Sequence, residues 1–232
     1  MILAFGITED VPTGYNFEIN PGVDFGEFET RPYMGLEFDG AEYFRFGYNG
    51  IRIQVGGFFP DGQFEDGTFQ VDYNYFSPLK NLRRSKFRQF FDLNYTTGLK
   101  RRSDEKISHE DYIRGIKGDY LFGQHRLVGS LESIFFTKWY WYGFRLAPFA
   151  FADFGWLSQD RPLLRSENFY SALGTGIRLR NESLLFATIE LRIAFYPSTP
   201  EGGNPLGFNF SVSEPRKFEF IRTAKPELVG FE

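Results

Sequence analysis

Arg114 and Asp153 are the residues whose setting raises the sharpest chemical question in this chain. Arg114 lies in Ile113-Arg114-Gly115-Ile116, within a polar stretch, and Asp153 in Phe151-Ala152-Asp153-Phe154-Gly155, within an apolar, strand-like run. Burying even an uncharged polar group without a partner costs about 2–7 kcal/mol, and an isolated carboxylate would protonate instead. Asp153 therefore needs a cation, and an arginine on a glycine-bracketed loop could supply one. Asp153 shares strand parity with Arg145, and Glu132 shares it with Ser130 and Arg126. If those parities both point inward, Arg114 could sit between two carboxylates on adjacent strands. A guanidinium presents donors in a planar fork and serves two acids better than an ammonium does. Gly115 and Gly118 would let the loop backbone pass close to the wall. The competing reading is that these charges line a solvated pore and pair only transiently.

Other candidate chemistry is weaker. Leu173-Gly174-Thr175-Gly176 lacks the lysine and the following helix of a phosphate loop, and reads better as strand glycines that allow tight curvature. No Ser/His/Asp set has a strand–turn–helix setting, so no catalytic residue is assigned. The two histidines, His109 and His125, with scattered carboxylates read as ordinary polar residues rather than ligands. Asp104, Glu105, Glu110 and Asp111 read as a solvated acidic loop. No metal or cofactor is expected.

The elements that must position Arg114 and Asp153 are strands. Period-two alternation recurs along the chain. Phe17, Ile19, Pro21 and Val23 oppose Asn16, Glu18 and Asn20. Phe69, Val71, Tyr73 and Tyr75 oppose Gln70, Asp72 and Asn74. Leu173, Thr175, Ile177 and Leu179 oppose Gly174, Gly176, Arg178 and Arg180. Ala187, Ile189, Leu191, Ile193 and Phe195 oppose Thr188, Glu190 and Arg192. About eleven strands follow from such patterns, near 2–8, 14–24, 30–38, 43–58, 67–76, 86–98, 125–136, 143–156, 169–180, 184–196 and 207–213. Short connections at Asp39-Gly40-Ala41, at Arg180-Asn181-Glu182-Ser183 and around Trp139 alternate with long polar ones at 99–124 and 157–168. The stretch 77–87 reads as a basic turn rather than a helix.

Composition narrows the setting. Aromatic residues make up 20% of the 232 residues, 30 of them Phe, with 25 Gly and 24% charged residues, yet the mean hydropathy is −0.34. Abundant aromatics, glycine and charge together suit strands with lipid on one side and water on the other. No apolar run approaches the ~18–20 residues of a membrane helix. Trp139, Tyr140, Trp141 and Tyr142 cluster at a turn, as interfacial aromatics do. The net charge of −4 gives no reason to expect a nucleic-acid partner, and with no cysteine there is neither a disulfide framework nor a thiolate site. The fold class expected is all-β: a transmembrane, antiparallel, up-and-down β-barrel spanning 1–213. Residues 99–124 would form a long loop folding into the lumen, and 214–232 an extended carboxy-terminal tail.

The run Ile113-Arg114-Gly115-Ile116 through Leu121-Phe122-Gly123-Gln124-His125-Arg126-Leu127 resembles the sixth extracellular loop of the surface-antigen superfamily, which includes outer-membrane barrel-assembly insertases and two-partner-secretion translocators. Its Val/Ile-Arg-Gly-Phe/Tyr motif is matched except that Ile116 replaces the aromatic. The family's Phe-x-Asp-x-Gly motif is matched by Phe151, Asp153 and Gly155, and Glu132 sits where the family has a lumen-facing glutamate. Residues 174–181 and 191–197 are similar to the last hairpin. The likeness is good over 110–213 and loose elsewhere.

The resemblance implies a barrel of about sixteen strands, of which this chain holds about eleven. It implies periplasmic modules before the barrel, lipoprotein partners, and client outer-membrane or secreted proteins handled at the outer membrane of a Gram-negative bacterium. It also implies a loop latch made by Arg114, Gly115, Glu132, Asp153 and Gly155, and no enzymatic step. Met1–Gly6 carries no export signal, so a carboxy-terminal piece of a longer protein is expected. The alternative is a barrel that anchors an enzyme, such as a patatin-like lipase, encoded upstream. A soluble all-β binding protein is the third reading.

Overall fold

The computed structural model describes residues 2–4, 7–8, 11–26, 29–101, 107–108, 113–115, 122–159, 164–165, 169–181, 188–198, 204–213 and 228–230. Ten long strands follow one another in a single antiparallel meander. They are β1 (Gly14–Phe25), β2 (Thr30–Phe44), β3 (Gly47–Phe58), β4 (Glu65–Phe76), β5 (Ser85–Leu99), β6 (His125–Thr137), β7 (Phe144–Ser158), β8 (Phe169–Asn181), β9 (Thr188–Ser198) and β10 (Leu206–Ser213). Each pairs with the next in the chain. Lys80–Asn81 and Tyr140–Trp141 add short pairings to β5 and β7. The sheet is not closed: among the described residues β1 and β10 are its two edges.

Alternation builds the sheet's two faces. Along β1 half-buried and exposed residues alternate without a break. Tyr15, Phe17, Ile19, Val23 and Phe25 point outward, and Leu206, Phe208, Phe210 and Val212 do the same on β10. Met34, Leu36 and Phe38 on β2, Leu173 and Ile177 on β8, and Ile193 and Phe195 on β9 continue the apolar outer surface. The opposite face is closely curved. Its side chains are buried or half-buried although, among the described residues, no second sheet of long strands covers them, and Arg31 on β2 reaches Asp66 on β4 across the intervening strand at 2.8 Å. That face holds a polar ladder. Arg52 donates to Asp39 at 2.7 Å, Gln54 to Glu37 at 2.7 Å, Asn94 to Asp72 at 2.6 Å and Asn74 to Asp92 at 2.7 Å. Such cross-strand pairs are what an inward polar face needs.

At the end where the connections are short, the inner face turns apolar. Tyr48, Phe76, Phe90, Ile134, Ala147 and Phe149 form one buried cluster there, which Ile113, Phe151 and Tyr196 extend toward the middle of the sheet. Aromatic rings from β7 lie over glycines of β8. Phe149 pairs with Gly176 and Phe151 with Gly174 in register. A Cβ at Gly176 would overlap the Leu191 carbonyl oxygen and the Phe149 ring. The glycines are therefore slots that let the rings lie flat on the wall, and the Leu173–Gly176 run serves as strand.

Three expectations change. Asp39-Gly40-Ala41 is not a turn: β2 runs through it, and the chain reverses at Arg45–Phe46. Inward Asp39 pairs with Arg52, which makes the run part of the ladder. The segment 2–8 is not a strand of the sheet but a small hairpin, Ile2–Ala4 against Ile7–Thr8. The long strands thus number ten rather than about eleven. The basic stretch after β4 is a turn, as its sequence suggests. Residues 184–187 and most of the tail lie outside the described residues. Of the tail, Leu228–Gly230 is described, and the Val229 amide donates to the Tyr33 hydroxyl on the inner face at 2.8 Å.

Gly176→Ala is expected to destabilise the fold by about 1–3 kcal/mol, the usual cost of overpacking. Gly22→Ala, whose Cβ would meet only ordinary contacts with Tyr33, should change little. Urea unfolding of both variants in detergent checks this, and equal midpoints would contradict it.

Candidate functional site

The site is assembled from one loop and four consecutive strands. Ile113, 1% exposed, anchors the loop in the inner apolar cluster. Gly115 follows Arg114 with φ +87°, a left-handed conformation that glycine adopts without strain. A Cβ there would overlap the Tyr196 hydroxyl on β9. Between these two residues the Arg114 side chain is aimed at β6 and β7.

Its contacts use nearly every donor. Nε donates to Asp153 Oδ2 at 2.8 Å and Nη2 to Oδ1 at 2.8 Å, a bidentate fork. The Arg114 backbone N–H also donates to Oδ2, at 3.2 Å. Nη1 donates to Glu132 Oε2 at 2.6 Å, and Nη2 to Ser130 Oγ at 2.7 Å. Ser130 in turn donates to Asp153 Oδ1 at 2.8 Å. Ser130 and Asp153 are register partners on β6 and β7, which explains why one guanidinium reaches both. The ring of Phe151, flat over Gly174, lies beneath the cation at 4.0 Å.

Both carboxylates are about 1% exposed and Arg114 is 18% exposed. Burial alone would lower the pKa of Arg114. Hydrogen bonds and charge from Asp153 and Glu132 outweigh that, so it lies above the ordinary arginine value.

The network extends further than the sequence reading reached. Arg178 on β8 donates to both oxygens of Glu132, at 2.7 and 2.9 Å, and to Glu190 on β9 at 2.8 Å. Arg192 donates to Glu190 at 3.2 Å. Arg178 lies over Phe149 at 4.4 Å, as Arg114 lies over Phe151. Glu132 is thus held between two guanidinium groups. Three carboxylates (Asp153, Glu132, Glu190) face three arginines (Arg114, Arg178, Arg192). Parity had placed Arg178, Glu190 and Arg192 on the polar face. The missing signal was register: Arg178 and Glu190 are direct partners, and Arg178 lies two strands from Glu132. Tyr196, the residue that sets the loop's approach, carries no such signal.

Of the residues singled out in sequence, Arg114, Gly115, Glu132 and Asp153 come together. Gly155 lies at the next inward position beyond Asp153, paired with Val128 and Tyr170. Ile116, Gly118, His109 and the acidic group Asp104, Glu105, Glu110 and Asp111 lie outside the described residues. His125 bonds to Thr97 on the neighbouring strand. Among the described residues no group of three His, Asp or Glu side chains is placed to hold a metal ion. Chemically, the arrangement holds a loop in place.

Searches against protein-family models, curated proteins and solved structures find no match for this chain.

Removing one partner of a buried ion pair costs about 3–5 kcal/mol, because the other charge stays buried without compensation. Arg114→Ala is expected to lower stability by an amount in that range, while Arg45→Ala on an exposed turn changes it by less than about 0.5 kcal/mol. Arg114→Lys keeps the charge but loses the fork, so it should fall between them. Chemical unfolding in detergent gives the comparison, and an Arg114→Ala midpoint equal to wild type would contradict the latch.

Proposed function

We propose that this chain is part of a transmembrane β-barrel of the surface-antigen type, working in the outer membrane of a Gram-negative bacterium in the insertion or translocation of other proteins. The observation that carries the reading is the Arg114 clamp on Glu132 and Asp153. The three motif-bearing residues that resemble the family's loop and strand motifs meet in one network on the inner face of a curved antiparallel meander. The outward face supports a lipid setting. Among the described residues it carries exposed large apolar side chains on strands from β1 to β10, while the strands' charged side chains lie on the inner face or near the strand ends.

On this reading the inner face is the wall of an aqueous lumen, and the loop around Arg114 is tucked into it. The cell's bilayer is one partner; client outer-membrane or secreted proteins are another. In hydrocarbon an unpaired strand edge is not tolerated, so β1 and β10 are hydrogen-bonded to another strand there. An edge that exchanges partners is a template on which an incoming strand can add. The work is mechanical, and no bond is made or broken. Periplasmic modules and lipoprotein partners belong to the same proposal.

Two measurements test it. The chain has no cysteine, so single substitutions report cleanly. In lipid vesicles, Ile193→Cys and Phe17→Cys should be protected from a water-soluble thiol reagent while Asn20→Cys reacts; reaction at all three would contradict the lipid-facing assignment. Vesicles that carry the chain should speed the folding of an unfolded small outer-membrane barrel several-fold over empty vesicles. Equal rates would contradict the insertase role and favour a barrel that only anchors another activity.

A further inference from the structure

The carboxy-terminal tail returns to the inner face, and it lands on a shaped seat. Tyr33 on β2 points inward and is buried. Gly35 on β2 and Gly56 on β3 are register partners beside it. A Cβ at Gly56 would overlap the Tyr33 hydroxyl, and one at Gly35 would lie 2.9 Å from it. The phenol thus lies across a glycine pair, as Phe149 and Phe151 lie across Gly176 and Gly174. Phe58 packs against the ring, with centroids 5.2 Å apart. The Tyr33 oxygen accepts the Val229 N–H at 2.8 Å. A Val229 methyl lies 3.1 Å from where a Cβ of Gly56 would be, so the same glycine makes room for the tail.

The contact joins distant parts of the sheet. β10 is one edge, and its last residue, Ser213, pairs with Thr188 at the start of β9. That is the short-connection end. Tyr33 pairs with Phe58, the last residue of β3, at the opposite end. β2 is one strand in from the other edge, β1. Fourteen residues, 214–227, separate Ser213 from Leu228. At about 3.3–3.6 Å each they reach about 50 Å. Crossing from one end of the sheet to the other takes about 40 Å, the length of twelve-residue β3. Little length is left over.

We propose that the carboxy-terminal segment is a strap across the open side of the sheet. It is continuous with edge strand β10 and is tied through Val229 to Tyr33, beside edge strand β1. The strap limits how far the two edges can part, and the Tyr33 hydroxyl is its catch. Latch and strap divide the inner face. Arg114 holds a loop to β6 and β7 by charge, whereas Val229 holds the tail to β2 and β3 by a peptide hydrogen bond and one side chain. A neutral hydrogen bond is weaker than charge-assisted ones, so the catch opens before the latch. A client strand that adds to β1 or β10 needs the edges apart, and the seated tail opposes it. That last step rests on the insertase reading; the strap itself does not.

Spin labels test the strap in detergent, apart from any client. Leu228→Cys, exposed beside Val229, is labelled together with Gln63→Cys on the turn after β3, or with Arg45→Cys at the opposite end. The distance to position 63 should be narrow and shorter than the ~40 Å strand length expected to position 45. Tyr33→Phe removes the acceptor, and Gly56→Ala fills the seat. Losing one hydrogen bond lowers the seated-to-released ratio about three- to ten-fold, so both distributions should broaden. A distribution to position 63 that is broad from the start, or unchanged in both variants, overturns the strap. Labels at Ile19→Cys on β1 and Phe210→Cys on β10 read the edges. Their separation should spread in the variants, and an unchanged separation overturns the restraint. In vesicles, Tyr33→Phe should speed client folding by a similar factor, and an equal rate overturns the opposition to clients. A chain that speeds no client, with or without the hydroxyl, overturns the insertase reading and leaves the strap standing on its distances.

Discussion

Two carboxylates held out of water on a curved wall set the terms for the rest of this structure. Glu132 and Asp153 sit diagonally on neighbouring strands, Glu132 opposite Phe151 and Asp153 opposite Ser130, each about 1% exposed. Like charges so placed repel one another, and burial adds a further penalty to both. Neither strand offers a cation at that height. The nearest solution on the wall, Arg178, satisfies Glu132 and Glu190 but is not bonded to Asp153. The loop therefore has to come in. Once it does, the guanidinium closes both acids together with Ser130. The electrostatic need and the path of the loop are one constraint.

The rest of the inner face is organised to make that entry possible. Gly174 and Gly176 carry no side chain, so Phe151 and Phe149 lie flat across them, and each ring becomes a platform for a guanidinium. Gly115 gives the loop a left-handed turn against Tyr196, where any side chain would collide. Ile113 seats the loop among apolar neighbours, contributing burial to a contact otherwise made of charge. Such a network ties the loop to β6 and β7 directly, and to β8 and β9 through Glu132 and Tyr196. Away from it, toward β1 and β2, the inner face uses separate and smaller ion pairs, such as Arg31 with Asp24 and Asp66.

Much of this was legible in the chain. Strict alternation placed most long strands to within a residue or two, and named the inward side of β1, β4, β8 and β9 correctly, because a one-residue slip would have turned every apolar residue to the wrong face. It failed at Asp39-Gly40-Ala41. Local composition there looks like a turn, but Arg52, 13 residues on and directly opposite Asp39 on the next strand, stabilises the extended form. It failed also at residues 2–8, where the pattern is that of a strand and the chain instead pairs with itself. The Arg114–Glu132–Asp153 set could be suspected because a buried acid demands a base. The Arg178–Glu190–Arg192 extension could not, since it depends on cross-strand register, which no short motif encodes. Tyr196 and the ring-over-glycine slots are likewise properties of the assembled sheet.

A double-mutant cycle between Arg114 and Asp153 measures the central claim directly. Arg114→Ala, Asp153→Ala and the double variant are unfolded by urea in detergent beside the wild type. If the guanidinium is what holds the buried carboxylate, the two losses should overlap strongly, with a coupling of about 2–3 kcal/mol. Losses that add to within about 0.5 kcal/mol would show that the two side chains stabilise the fold independently, and the latch would have to be given up.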